Sequence, residues 1–164
     1  MTYPITFACY GCHLHGDESG SVDVAHNVPG TPILEANFLR AAHEKLRMDQ
    51  IPYHLDRIRR DAVLEAIQEV CRHRGWRLLA AHVRSNHVHT VMEAEIPPER
   101  VMNDFKAYAS RRLNQLGLDG VNRKRWARHG STRWLWKAQD VSAAIHYVVA
   151  EQGDVMSIFA SHEL

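Results

Sequence analysis

The chain has 164 residues, 45% of them hydrophobic, and a formal net charge of +1, which fits one domain (1–164) that buries its core without disulfides or structural metals. The sequence contains no apolar run of about eighteen residues, which excludes a membrane-spanning protein. It also lacks the features of a secretion signal, which favours a cytoplasmic protein. The three cysteines are an odd number, which argues against a disulfide framework.

The first half of the sequence predicts one strand and one well-defined helix. Ile5, Phe7 and Cys9 recur at every second position, as in a half-buried strand. A Gly- and Pro-rich loop at 15–32 follows, then a short helix from Leu34 to Leu46 and a short strand in "IPYHLD" (51–56). Apolar residues at helical spacing from Arg57 to His73, with Gly75 as a stop, predict the main helix of this half.

The second half predicts a hairpin, two helices and a further strand. "WRLLAAHVRS" (76–85) and "NHVHTVMEAEI" (86–96) are β-rich runs joined by a short turn. A helix that begins at the proline pair of 97–98 should end at Gly117, and "STRWLW" (131–136) should form a strand. "DVSAAIHYVVAEQG" (140–153) predicts a last helix with Asp140 as N-cap and Gly153 as C-cap. This order indicates an α+β fold, a ferredoxin-like antiparallel sheet with helices on one face plus a C-terminal helix.

Two histidines in the predicted hairpin are candidates for chemistry. His87 and His89 share one face of their strand, with Cα atoms roughly 6 to 7 Å apart, close enough to bind one metal ion. A His-x-His pair alone is a weak signal, and two satisfied structural histidines would look the same in sequence. Burial of two imidazoles beside Val91 and Met92 costs free energy without a polar partner, which favours a site.

The last predicted helix offers a phenol and two polar side chains to such a site. Tyr147 and Glu151 lie at i and i+4 on one helical face. Gln152 projects about 140° from Tyr147 on an ideal helix, but it precedes Gly153, where the last turn can loosen. Either Glu151 or Gln152 could supply a third metal ligand. Periodicity alone favours a packing role for Tyr147 and a solvated role for Glu151.

A basic segment with interleaved tryptophans predicts binding to single-stranded nucleic acid. From Lys106 to Lys137, nine Lys and Arg face one acid, Asp119, so this segment carries +8 and the rest of the chain −7. Basic side chains contact phosphates and aromatic rings stack on bases. A solvated loop with tryptophans in the core is the alternative, and one of Trp134 and Trp136 at least should be core. The candidate DNA-binding residues are Arg111, Arg112, Arg123, Lys124, Arg125, Trp126, Arg128 and Arg133.

The same residues resemble a known family, the single-tyrosine HUH transposases, which include small bacterial insertion-sequence transposases and REP-associated tyrosine transposases. The similar stretches are "NHVHTVM", "FKAYASRRLN", "WARHGSTRWLW" and "AAIHYVVAEQGD", with an early "YGCHLHGDESGSVD" typical of one branch. Together these stretches cover nearly the whole chain in the order expected for the family, and the combination is more specific than any single stretch.

The resemblance implies a metal-dependent strand transferase that cleaves and rejoins single-stranded DNA near hairpins, as a homodimer, through a 5′-phosphotyrosine. His87 and His89 would bind Mg²⁺ or Mn²⁺ and Tyr147 would be the nucleophile. Family members often place an amide four residues after the tyrosine, where this chain has Glu151, whereas its own amide, Gln152, comes five residues after. Both therefore stay candidates for the third ligand.

Three alternatives remain at this level. Tyr108 is a rival nucleophile on the preceding helix, although its apolar stripe and nearby arginines favour packing or DNA contact. The chain could instead be a non-catalytic nucleic-acid-binding protein that keeps the fold, as the departure at Glu151 suggests. It could also be a metallonuclease that uses an activated water and forms no covalent intermediate.

Overall fold

Residues 1–12, 39, 42 and 45–162 are described by the computed structural model, which gives five strands and three helices with complete bounds. Their order along the chain is β1 (Thr2–Ala8), α1 (Arg57–Arg74), β2 (Arg77–Val83), β3 (His87–Glu93), α2 (Pro98–Leu116), β4 (Ser131–Thr132), α3 (Ala138–Ala150) and β5 (Ser157–Ala160). The predicted loop at 15–32 and most of the predicted helix at 34–46 lie outside the described residues.

The strands form one antiparallel sheet in the order β4-β1-β3-β2-β5. The first four strands and two helices follow the ferredoxin-like pattern, and β5 adds a strand beside β2. Strand β3 lies at the centre, where Thr6 of β1 and His82 of β2 both pair with His89. The predicted α+β fold is therefore confirmed, and it contains a strand, β5, that was not predicted from the sequence.

The two faces of the sheet bury different sets of side chains. Helices α1 and α2 cover one face and pack on the larger apolar cluster, which includes Phe7, Ile67 and Phe105. Helix α3 covers the opposite face over a smaller cluster that includes Val91 and Val148. Because side chains alternate along a strand, His87 and His89 share the α3 face with Val91. The topology thus directs both histidines toward the helix that carries Tyr147.

The bounds of α1 and α2 agree with their sequence signals. The Asp56 side chain accepts a hydrogen bond from the backbone N–H of Arg59 and caps the start of α1. Gly75 ends this helix with φ of 71°, a left-handed conformation that glycine adopts without steric cost. Gly117 ends α2 in the same way, as predicted.

Local predictions fail at three places. The strand predicted at 131–136 is limited to Ser131–Thr132, with one isolated bridge at Leu135. Residues 51–56 form no strand, because the backbone N–H groups of Tyr53 and Leu55 donate singly to Tyr10 and Ser85 and build no ladder. Helix α3 begins at Ala138 and ends at Ala150, so Asp140 lies inside the first turn, with its N–H bonded to the Lys137 carbonyl. Glu151, not Gly153, is its C-cap.

No helix in the described ranges has the length and apolar character needed to cross a membrane.

Candidate active site

The paired histidines lie at the centre of the sheet, under helix α3. The ring centres of His87 and His89 are 4.6 Å apart, and the planes of the two rings are nearly perpendicular. His89 is buried, with 8% of its surface exposed, whereas His87 is half-buried. The pair is close enough for both rings to reach one ion.

The Nδ1 atoms of both histidines have hydrogen-bond partners. Nδ1 of His87 lies 2.5 Å from Oδ1 of Asn86, and because an amide oxygen only accepts, the ring donates through Nδ1. Nδ1 of His89 lies 2.8 Å from the Thr6 hydroxyl, its cross-strand neighbour. When Nδ1 carries the proton, the lone pair is on Nε2. Contacts of this kind fix the orientation of metal-binding imidazoles.

His89 is held neutral and has an unmet polar atom. Its buried Nε2 atom has no hydrogen-bond partner of good geometry among the described residues. Burial lowers the pKa of His89 to about 3, and the neighbouring charge of His87 acts in the same direction. A neutral imidazole with a buried lone pair at pH 7 suits a metal ligand, since an unpartnered polar atom otherwise costs free energy.

Tyr147 lies beside this pair. Its ring centre is 6.0 Å from that of His89, and half of its surface (50%) is exposed. The next residue, Val148, is buried against the sheet, so α3 is anchored while the phenol stays accessible to substrate.

Tyr108 lies on the opposite face of the sheet. It packs on the larger apolar cluster, and the Arg111 guanidinium lies 5.0 Å from its ring centre. The structure therefore brings Tyr147, and not Tyr108, together with the histidines.

Gln152 and Glu151 occupy different surroundings. The Gln152 amide lies near the His89 ring and acts to raise its pKa against the larger effect of burial, and Nε2 of Gln152 donates to the Tyr147 carbonyl at 3.3 Å. The Glu151 carboxylate lies 3.2 Å from Nε2 of His146, with 53% of the side chain exposed. Among the described residues, no three His, Cys, Asp or Glu side chains are grouped to bind a metal ion. The geometry thus places Gln152, rather than Glu151, with the histidine pair.

The residues that are present fit a divalent cation. Two imidazoles, both with engaged Nδ1 atoms, and one amide could hold the ion through nitrogen and oxygen. Other positions would be left open for water and phosphate.

Thr6 and Asn86, the hydrogen-bond partners of the two histidines, were not predicted from the sequence. Asn86 could have been found because it precedes His87, whereas Thr6 requires the register of β1 against β3.

Most of the predicted DNA-binding residues have internal partners. Arg125 is buried (7% exposed) and bound to Asp119 and Asn114, and Trp126 donates to the Lys106 carbonyl and the Ser110 hydroxyl. Arg112 pairs with Glu65 and Glu69, and Lys124 pairs with Asp49. Arg123 donates to Gln50 and to the Ile51 carbonyl, and the Arg111 guanidinium lies over the Tyr108 ring. Three carboxylates distant in sequence, Glu65, Glu69 and Asp49, therefore neutralise part of the local excess of positive charge.

Two arginines and one tryptophan remain available at the surface. Arg128 and Arg133 are exposed and have no ion-pair or hydrogen-bond partner in the described part of the chain. Trp136 is 80% exposed and stacks on half-buried Trp134, which packs edge-on against Tyr3. Trp134 thus contributes to packing, as expected of one of the two tryptophans, and it supports Trp136 as an exposed ring.

Arg125 and Asp119 belong to a buried ion-pair network that we expect to stabilise the fold. Asp119 accepts hydrogen bonds from Tyr53, Arg59 and Arg125, and although burial alone would raise its pKa, these donors hold it below its usual value. Asp119→Asn should lower the free energy of unfolding by about 3 kcal/mol or more, because the buried Arg125 guanidinium loses its counterion and Arg59 keeps only the exposed carboxylate of Asp56. Urea denaturation measures this change.

The matched control is Asp49→Asn, which removes an exposed ion-pair carboxylate and should leave stability nearly unchanged. The Asp119 contribution is present above the carboxyl's usual pKa of 3.8 and is lost as pH falls below it, because the unfolded state then binds more protons. Equal stability of the two variants would contradict this structural role.

Comparison with known proteins gives one family and one fold. The family model described as IS200-like transposases matches residues 52–140, more than half of the chain; this range includes His87 and His89 and ends before Tyr147. No curated protein matches the chain. The chain is similar in fold to a solved REP-associated tyrosine transposase bound to a REP hairpin, with 12% identity, 92% of this chain covered and a TM-score of 0.50. It spans 65% of that protein's length.

Proposed function

Because the chain belongs to the family of IS200-like transposases, we propose that it cleaves and rejoins single-stranded DNA near hairpins in a reaction that depends on Mg²⁺ or Mn²⁺. Tyr147 is the nucleophile, and His87, His89 and Gln152 are the metal ligands. One observation carries the proposal: an accessible phenol lies beside a buried imidazole whose Nε2 has no partner of good geometry in the described part of the chain. A phenol and an unmet nitrogen ligand are the two groups that this chemistry requires.

In the reaction, the Tyr147 oxygen loses its proton and attacks the scissile phosphorus. A bond forms between phosphorus and the phenolic oxygen, the bond to the 3′-oxygen breaks, and that oxygen takes up a proton as it leaves. The product is a 5′-phosphotyrosine and a free 3′-hydroxyl. Because Tyr147 is half exposed on an anchored helix, it can meet a phosphate without unfolding of α3.

A bound divalent cation would supply neutralisation of the phosphate charge and stabilisation of the leaving oxygen. His87 and His89 contribute nitrogen donors of fixed orientation, because Asn86 and Thr6 engage their Nδ1 atoms. The phosphotyrosine keeps the energy of the original ester. A second 3′-hydroxyl can therefore attack it, release Tyr147 and reseal a strand without ATP.

We place the DNA surface at Arg128, Arg133 and Trp136, where exposed cations and an exposed ring are available. The double variant Arg128→Ala/Arg133→Ala should weaken binding to single-stranded DNA regardless of sequence. The slope of log affinity against log salt should become shallower by about 1.4, at roughly 0.7 for each phosphate that the variant no longer binds. Fluorescence anisotropy of a labelled oligonucleotide at several salt concentrations measures this slope.

Arg112→Ala is the control for this experiment, because Arg112 is already paired with Glu65 and Glu69. Its slope should equal that of the unchanged protein. If Arg112→Ala changes the slope more than the Arg128→Ala/Arg133→Ala variant does, the DNA surface lies on helix α2 instead.

The direct test of the proposed function is a search for the covalent intermediate. The protein is incubated with hairpin-containing and random single-stranded DNA and Mn²⁺, and nucleotide-linked peptides are mapped by mass spectrometry. A linkage at Tyr147 supports the proposal. Cleavage without any linkage would indicate a metallonuclease, and binding without cleavage would indicate a non-catalytic DNA-binding protein. The homodimer and the cytoplasmic location stay predictions.

A further inference from the structure

A third histidine lies behind the pair on the same face of the sheet. His82 of β2 is fully buried and pairs in register with His89 of β3. It is too enclosed to contact DNA. It has two hydrogen bonds to backbone groups, and both of these groups belong to the chain around Tyr147.

These hydrogen bonds define the state of the ring. Nδ1 of His82 lies 3.1 Å from the Val148 carbonyl, which can only accept, so Nδ1 carries the proton. The backbone N–H of Met156 donates to Nε2 at 3.0 Å, so Nε2 carries the lone pair. The ring is therefore neutral and protonated at Nδ1. Protonation at Nε2 alone would leave both bonds unmade.

The two bonded groups bracket the turn that follows α3. Val148 is the residue after Tyr147, and Met156 is the residue before β5. Gln152 lies between them on the connecting turn. Arg84, two residues after His82, donates from Nη1 to the Asp154 carbonyl at 2.9 Å and forms a second link to the same turn. Through its two hydrogen bonds, the His82 side chain therefore fixes both ends of the segment that contains Gln152.

We propose that His82 is a positioning residue that sets the distance of Tyr147 and Gln152 from the His87–His89 pair. The inference rests on the proposed function, since only that function requires these groups to meet. His82 takes no part in the chemistry itself. Its role is to fix a helix end relative to a strand, and small displacements of reacting groups cost much of the rate.

Three substitutions at His82 separate its two hydrogen bonds. His82→Asn keeps an amide N–H near the position of Nδ1, and His82→Gln brings an amide oxygen near the position of Nε2. His82→Leu removes both bonds. We expect His82→Leu to lower kcat for cleavage about 100-fold with KM for DNA nearly unchanged, because the exposed arginines are untouched. The Asn and Gln variants should each recover part of this loss.

The matched control is Ile67→Ala, which truncates a fully buried side chain of α1 on the far side of the sheet. It is compared with His82→Leu at temperatures equally far below each Tm. A general loss of stability would lower the activity of both variants alike. The inference is overturned if His82→Leu loses no more kcat than Ile67→Ala, or if Asn and Gln give no recovery.

Two measurements on the protein alone, without DNA or metal, test the same inference independently of DNA cleavage. The ¹⁵N shifts of the His82 imidazole should report a proton on Nδ1, and the Met156 amide should exchange faster in His82→Leu than in Ile67→Ala. A proton on Nε2, or unchanged exchange, would overturn the inference. A different outcome is also informative: both measurements give the expected result, but the wild-type protein forms no tyrosine adduct. That outcome would contradict the proposed function, while the structural link that His82 makes between strand and helix would stand.

Discussion

Tyr147→Phe should abolish the covalent adduct with single-stranded DNA and lower cleavage by roughly 10⁴-fold or more, since phenylalanine has no oxygen to attack phosphorus. The ring is half exposed, so loss of its hydroxyl should leave the free energy of unfolding within about 0.5 kcal/mol. Adduct formation is read from the shift of a labelled oligonucleotide on a denaturing gel.

Tyr108→Phe is the matched control, since it removes the same atom from the helix on the other face of the sheet. It should form the adduct at the wild-type rate. An adduct that survives Tyr147→Phe and disappears with Tyr108→Phe would transfer the nucleophile to α2 and contradict the site described above.

Gln152→Ala should lower the affinity for Mn²⁺ at least about 10-fold and cleavage with it, because the amide beside His89 is the third ligand in our proposal. Glu151→Ala should change the affinity for Mn²⁺ less than about 2-fold, because the Glu151 carboxylate pairs with the exposed His146 side chain. Isothermal titration calorimetry with Mn²⁺ compares the two variants. The reverse order would identify Glu151 as the ligand.

The histidine pair and its strand could be predicted because they depend on local patterns. Alternation along β3 puts His87 and His89 on one face whatever the partner strands are, and apolar spacing with Gly75 defines α1. The position of Tyr147 near the pair depended on resemblance, because periodicity alone favoured packing for that residue.

The basic segment could not be resolved from sequence. Whether an arginine meets phosphate or an internal carboxylate depends on residues distant along the chain, such as Glu65 for Arg112. The third ligand had the same limitation: Gln152 reaches the histidine side because α3 ends at Ala150 and the chain turns, whereas an ideal helix would direct Gln152 away. Strand β5 has four residues, too few for its pattern to be recognised.

The unequal covering of the two sheet faces has a consequence for how the molecule comes apart. Helix α3 rests on the smaller cluster through two buried residues, Ala144 and Val148, while α1 and α2 share the larger cluster. Less apolar area is exposed when α3 detaches than when the other pair separates, so its release costs less free energy. Mild heating or denaturant should therefore free the tyrosine-bearing segment first, and activity would disappear while most of the native architecture persists.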